Sequence, residues 1–303
     1  MITRIRYCIY RHFCTIFILD KSTFTQVTTN INNDVKQIAC GFYHTFILKN
    51  DGSLWSCGAN GPGQLGLGTS GNSANQTSFT QVTTNINNDV KQIACGSSHT
   101  FILKNDGSVW GCGSNEDGEL GLNDTTYIDT FTQVTTNINN DVKQISCGQY
   151  HTFILKNDGS VWSCGDNNWG QLGLGLNDTT DKTTFTQVTT NINNDVTQIA
   201  CGGYYYGDYT SECTSTFILK NDGSVWACGS NYYGQLGLSD TTYNTFTQIS
   251  IGSNKIVCYG GSQTFIMKNN GDVWVAGAGL GLGINNTNNI TKFTMLTKPW
   301  NTI

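Results

Sequence analysis

The sequence predicts an all-β chain folded as a β-propeller, on three observations. First, "FTQV" or a close variant begins at Phe24, Phe79, Phe131, Phe185, Phe246 and Phe293, at intervals of 55, 52, 54, 61 and 47 residues. That period suits blades of several short strands rather than helical solenoids. Second, no segment places apolar residues at helical spacing. Third, each repeat carries an Asp-Gly or Asn-Gly pair between two apolar runs, which is a strong short-range hairpin signal.

Each unit reads in the same order: "FTQV" as a strand, a polar "TTNINND" loop, "VKQIACG" as a strand, a short turn, then "TFILKNDGSVWSCG" as a hairpin. In the first unit a positive-φ turn at Asp51-Gly52 pairs Leu48 with Trp55 and Phe46 with Cys57 on one face, and Ile47 with Ser56 on the other. Apolar or small residues therefore face both ways, as a blade between two neighbours requires. The glycines of "CGANGPGQLGLG" permit positive φ and close backbone approach where the chain crosses to the next blade. They are no nucleotide cradle, because the Thr/Ser/Asn-rich stretch after Gly68 has poor helix propensity and phosphate binding needs a helix N-terminus.

The pattern G-x-x-H-T-x-x-L, then D-G-x-V-W, then C-G-x-N-x-x-G-Q-L-G-L resembles the regulator-of-chromosome-condensation (RCC1-like) repeat over essentially residues 24 to 292. The resemblance implies a propeller of four-stranded blades, usually seven, that binds small GTPases, chromatin or other proteins. Here the chain reads as a single domain over 1–303. Residues 1–23 form a degenerate partial repeat, 24–292 five full repeats, and 293–303 a closing strand. The remnant "CTIFILDKST" and the terminal "FTMLTKPW" are expected to share an incomplete sixth blade, because an open ring exposes two blade faces.

Twelve cysteines resemble a metal or disulfide inventory until their positions are compared. Cys40, Cys95, Cys147, Cys201 and Cys258 precede the turn, and Cys57, Cys112, Cys164 and Cys228 follow the tryptophan. The two sets lie two strands apart, about 9.5 Å, which exceeds disulfide reach. No C-x-x-C pair offers zinc a site. Cys8, Cys14 and Cys213 fall outside the pattern. His44, His99 and His151 share a position that Ser215 and Gln263 hold in later units, which favours hydrogen bonding to turn backbone over metal coordination. Asp51, Asp106, Asp158 and Asp222 are turn residues. The sequence thus implies no catalytic residue, no metal and no cofactor.

Function is sought where the copies differ. Cys201 to Thr216 spans 15 residues where Cys40 to Thr45 spans five, and the added segment brings Tyr204, Tyr205, Tyr206, Asp208, Tyr209 and Glu212. Tyrosines give large contact area at low entropy cost. The variable pair of G-x-N-x-x-G supplies Glu116-Asp117, Asn168-Trp169 and Tyr232-Tyr233, and the turns before the histidines supply Phe42-Tyr43 and Tyr150. Aromatics on loops of a rigid scaffold read as contacts.

Charge narrows the partner. Lys and Arg total 16 against 21 Asp and Glu, and every arginine (Arg4, Arg6, Arg11) lies in the first eleven residues. Only that arm offers nucleic acid a phosphate-neutralising surface. No apolar run approaches the roughly 18 residues that cross a bilayer, the start does not read as a signal peptide, and unpaired thiols point to the cell interior, cytoplasm or nucleus. The Asn, Ile and Thr bias also fits an AT-rich viral genome and a virion protein. The expected function is a non-enzymatic scaffold that binds another protein, a small GTPase or chromatin protein among the candidates. The alternatives are nucleotide exchange on a small GTPase and self-association as a structural subunit.

Overall fold

In a computed structural model, the structure describes residues 26–296 apart from 29, 32–33, 177, 204–213, 252–254, 260–261, 269, 280–281 and 283–286. Twenty strands form five antiparallel four-stranded sheets, each in simple chain order. The first holds β1 (Val35–Cys40), β2 (His44–Lys49), β3 (Leu54–Gly58) and β4 (Gln76–Val82). The second holds β5 (Val90–Cys95), β6 (His99–Lys104), β7 (Val109–Gly113) and β8 (Ile128–Gln133). The third holds β9 (Val142–Cys147), β10 (His151–Lys156), β11 (Val161–Gly165) and β12 (Lys182–Val188). The fourth holds β13 (Val196–Gly202), β14 (Ser215–Lys220), β15 (Val225–Ser230) and β16 (Thr242–Gln248). The fifth holds β17 (Lys255–Tyr259), β18 (Gln263–Met267), β19 (Val273–Gly277) and β20 (Ile290–Met295). The only helical turn among the described residues is a three-residue 3-10 segment, Asn72–Ala74, and none of their helices is long and apolar enough to cross a membrane.

Sequence repeat and blade are out of phase by one strand. After each Leu-Gly-Leu crossover the chain returns antiparallel to the tryptophan strand, so every "FTQV" strand completes the sheet before it: Leu54 pairs with Val82, and Trp274 with Met295. The expected sixth sheet shared by the termini is corrected on this point, because β20 is the fourth strand of the fifth sheet. The remnant at 14–23 lies outside the described residues.

The hairpin register also differs from expectation. Leu48 faces Leu54, Ile47 faces Trp55, Phe46 faces Ser56 and Thr45 faces Cys57. The loop is longer than two residues: Lys49 N–H donates to Ser53 O, Gly52 N–H donates to Lys49 O, and Gly52 alone takes positive φ, at 82°. A three-residue loop ending in a glycine bulge moves each pair by one residue. Asp51 Oδ1 accepts the Ser53 N–H, and Asp106, Asp158 and Asp222 do the same for Ser108, Ser160 and Ser224, which fixes them as turn residues.

The sheets stack face to face, with the first strands of successive sheets nearest one another and so lining the inner wall. Phe46, Leu48, Leu54 and Val82 of the first sheet bury against Ile86, Val90, Ile93, Ile102 and Phe131 of the second sheet and the loop leading into it. The pattern repeats at the next two junctions. Phenylalanines meet edge to face across each boundary, Phe46 with Phe131 at 6.0 Å, Phe101 with Phe185 at 6.3 Å and Phe153 with Phe246 at 6.2 Å. Each such buried side chain contributes roughly 1.5–3 kcal/mol from area removed from water.

Polar groups tie the inner wall. The Gln92 amide donates to Ile145 O at 2.9 Å and accepts from Ile145 N–H at 3.2 Å, so one side chain occupies a backbone edge of the next sheet. Gln37 treats Ile93 the same way, and Gln144 treats Ile199. Farther out, Lys104 lies 4.4 Å from the Trp110 ring centre and 3.1 Å from Asp89, and donates to Asn85 O. Lys49, Lys156 and Lys220 repeat this contact set over Trp55, Trp162 and Trp226, with ion pairs to Asp34, Asp141 and Asp195.

Candidate functional site

The recurring polar residues resolve into structure. His44 Nε2 lies 2.8 Å from Thr100 Oγ1, His99 Nε2 3.1 Å from Thr152 Oγ1, and His151 Nε2 3.0 Å from Thr216 Oγ1. The partner is a threonine of the next sheet, where turn backbone was expected. Burial holds all three imidazoles neutral, with pKa values lowered to about 3. Cys40 and Cys57 both oppose Thr45, two strands apart as the spacing required. The cysteines that the structure describes are free thiols, and burial pushes Cys57 and Cys201 up to about 12. Thiols this poorly ionised are weak nucleophiles. Among the described residues no cluster of three His, Cys, Asp or Glu side chains could hold a metal. Cys8, Cys14 and Cys213 lie outside the described residues.

The variable turns converge on one edge of the disc. Ala59 N–H donates to Tyr43 O, Ser114 N–H to Ser98 O, Asp166 N–H to Tyr150 O and Ser230 N–H to Thr214 O. These bonds join the turn before each β2-type strand to the G-x-N-x-x-G turn leaving the same sheet. Phe42 N–H donates to Ser97 O, and Ser97 N–H to Gln149 O, so neighbouring sheets are linked along the same rim. The two sets that the sequence separated are therefore one surface.

Buried asparagines set the shape of these turns. Asn115 Oδ1 accepts Leu120 N–H while its amide donates to Asp124 O, and Asn60, Asn167 and Asn231 accept at the same place. Glu119 Oε2 accepts Asp117 N–H, as Gln171 accepts Trp169 N–H and Gln235 accepts Tyr233 N–H. At Gly118, φ is 80° and a Cβ would stand 2.5 Å from Thr183 Cα, so the turn rests directly on the next sheet. The pair between Asn and Gly is thereby held outward on a fixed base.

The outward residues are aromatic and acidic. Tyr43 is 45% exposed and Tyr232 is 61% exposed, and each packs edge to face on its neighbour, Phe42 at 4.2 Å and Tyr233 at 5.1 Å. Glu116 is exposed, while Asp117, Trp169 and Tyr150 are half-buried. Tyr127, which the sequence reading did not single out, donates its hydroxyl to Glu116 and is largely exposed. That bond pushes the Tyr127 hydroxyl up to about 12. Burial, then the nearby Glu119, Asp166, Asp181 and Glu116 charges, raise the Asp117 carboxyl to about 7.

The insertion residues Tyr204, Tyr205, Tyr206, Asp208, Tyr209 and Glu212 lie outside the described residues. Their flanking strands, β13 ending at Gly202 and β14 beginning at Ser215, place both ends of the insert on this rim.

The profile of the RCC1-like domain matches residues 18–301. The chain belongs to the RCC1-like domain family. A human probable E3 ubiquitin-protein ligase, HERC6, is 37% identical over 188 residues, covering 60% of this chain and 18% of that protein. The mouse X-linked retinitis pigmentosa GTPase regulator is 37% identical over 138 residues, 45% of this chain and 14% of that protein. The chain thus spans less than a fifth of the curated relatives it matches. Among solved structures, human WBSCR16 superposes with a TM-score of 0.71 at 24% identity, covering 88% of this chain and 67% of that one. Yeast RCC1 (Prp20), solved bound to Kap60, gives 0.71 at 19% identity, covering 87% of this chain and 63% of that one. These likenesses establish the RCC1-type propeller fold.

Proposed function

We propose that this RCC1-like propeller is a non-enzymatic scaffold that binds another protein through the rim carrying Phe42-Tyr43, Glu116-Asp117, Asn168-Trp169 and Tyr232-Tyr233. The observation that carries the reading is the hydrogen bonding of two variable turn sets into one edge, with Tyr43 and Tyr232 exposed on rigid supports. Exposed aromatics with little conformational freedom are the side chains that interfaces enrich. The acids beside them favour a partner surface that is basic at its margin. A crosslinked pull-down from the native cell tests this, with Tyr43→Ala/Tyr232→Ala as comparator. Recovery of one partner by the native chain and its loss from the double variant supports the scaffold. Equal recovery by both refutes it.

Nucleotide exchange on a small GTPase is the second reading, favoured by the yeast Prp20 structure whose study concerned binding to Gsp1p and histones. The tyrosine-rich insert rising from the same rim is the element available as a wedge. Acceleration of labelled guanine-nucleotide release from candidate GTPases supports it, and unchanged release removes it.

A further inference from the structure

The first sheet is the one whose leading face lacks a described sheet against it. Ile38 on β1 is 58% exposed, whereas its counterparts Ile93, Ile145 and Ile199 are 1–2% exposed. Thr45 Oγ1 is buried without a partner, although Thr100, Thr152 and Thr216 each meet a histidine of the preceding sheet. Phe79 holds the position of Phe131, Phe185 and Phe246, each of which receives a phenylalanine from the sheet before. Among the described residues Phe79 has no ring partner, yet it is only 5% exposed, and just Ile31 and Trp55 join it with Ile47 and Cys57.

We propose that the segment Thr15–Leu19 of this chain docks on that face as the β2-type strand of a partial leading blade, setting Phe17 against Phe79. The assignment follows the repeat. "FILD" at 17–20 matches "FILK" at 46–49, so Phe17 and Leu19 stand where Phe46 and Leu48 reach the next sheet. Thr15 then falls at the position of His44 and brings a hydroxyl beside the orphaned Thr45. From Leu19 to Gln26 is seven residues (26 − 19), a reach of about 23–25 Å when extended. So short a tether gives the segment a high effective concentration at the face, which an untethered second copy lacks.

Hydrogen exchange on the full chain tests the contact, comparing the native protein with Phe17→Ala, Phe79→Leu and the double variant. Docking predicts that each single change speeds exchange across Val35–Lys49 by about tenfold and leaves β9–β12 untouched. The double change then adds no further acceleration, because both remove the same contact. Unchanged exchange in Phe17→Ala, or multiplying effects, overturns the proposal. Protection that rises with protein concentration overturns it too, by showing that a second copy covers the face. Phe79→Leu keeps most of the buried volume, and Phe17→Ala lies outside the five sheets, so the comparison survives a fragile core.

Discussion

His44 Nε2 and Thr100 Oγ1, 56 residues apart in sequence, meet at 2.8 Å across the boundary between the first and second sheets. Two equivalents follow at the next two boundaries, and each imidazole is neutral because it is buried. A base whose pKa is about 3 when folded and 6.5 when unfolded binds fewer protons in the native state between those values. Stability therefore falls as pH drops from about 6.5 towards 3. The three histidines together give a slope of about 4 kcal/mol per pH unit near pH 5. Urea midpoints across that range check it, and His151→Gln is expected to remove about one proton from the slope.

Asp117 carries the opposite sign. Its folded pKa of about 7 exceeds the unfolded 3.8, so the native state holds the extra proton in between. The stability this lends is complete below about pH 4 and is lost as pH rises through 7. Asp117→Asn is expected to flatten that decline and to gain on the native protein at pH 8, read as the difference in thermal midpoint at pH 5 and pH 8.

Gly148 sits against the histidine ring, and a Cβ there would stand 2.0 Å from His151 Cε1. In the fourth sheet Ser215 replaces histidine, and a Cβ at Gly202 would meet its Oγ at 3.3 Å. Gly148→Ala is expected to cost about 1–3 kcal/mol by overpacking, while Gly202→Ala stays within about 0.5 kcal/mol. Denaturant unfolding of both variants, and of Gly148→Ala/His151→Ser as rescue, measures the contrast.

Lys104 joins Trp110, Asp89 and Asn85 O at one buried point. Lys104→Met keeps the stem but leaves the carboxylate and carbonyl without their cation. The expected loss is about 1–3 kcal/mol, and raised salt weakens the native pair only slightly because the ammonium is sheltered. Unfolding of native and variant protein at low and high salt checks both parts.

Much of this fold was legible because each hydrogen-bonding motif is local. Asp-Gly marks the hairpin, and alternation on "HTFILK" marks a strand buried on both faces. Three features escaped because they depend on contacts more than 15 residues away or on loop geometry. Nothing in "FTQV" says whether it opens its own blade or completes the one before; that is fixed by pairing such as Val82 with Leu54. The glycine bulge moved the Phe46 pairing from Cys57 to Ser56. The Lys104 and Gln92 contacts join residues that carry no motif, though the recurrence of lysine after "FIL" beside a tryptophan hairpin was a readable signal. At the rim, Tyr43, Glu116, Trp169 and Tyr232 were found by their variability between copies. Tyr127 was missed because it stands outside the repeated motif, next to Glu116 only in space.

The most direct measurement of the central claim is the hydrogen-exchange footprint of the partner on the propeller. The account predicts protection at 42–43, 116–117, 149–150, 168–169 and 232–233, with the opposite edge at 50–53, 105–108 and 157–160 unchanged. Protection confined to that opposite edge, with Tyr43 and Tyr232 exchanging as in the free protein, would contradict it.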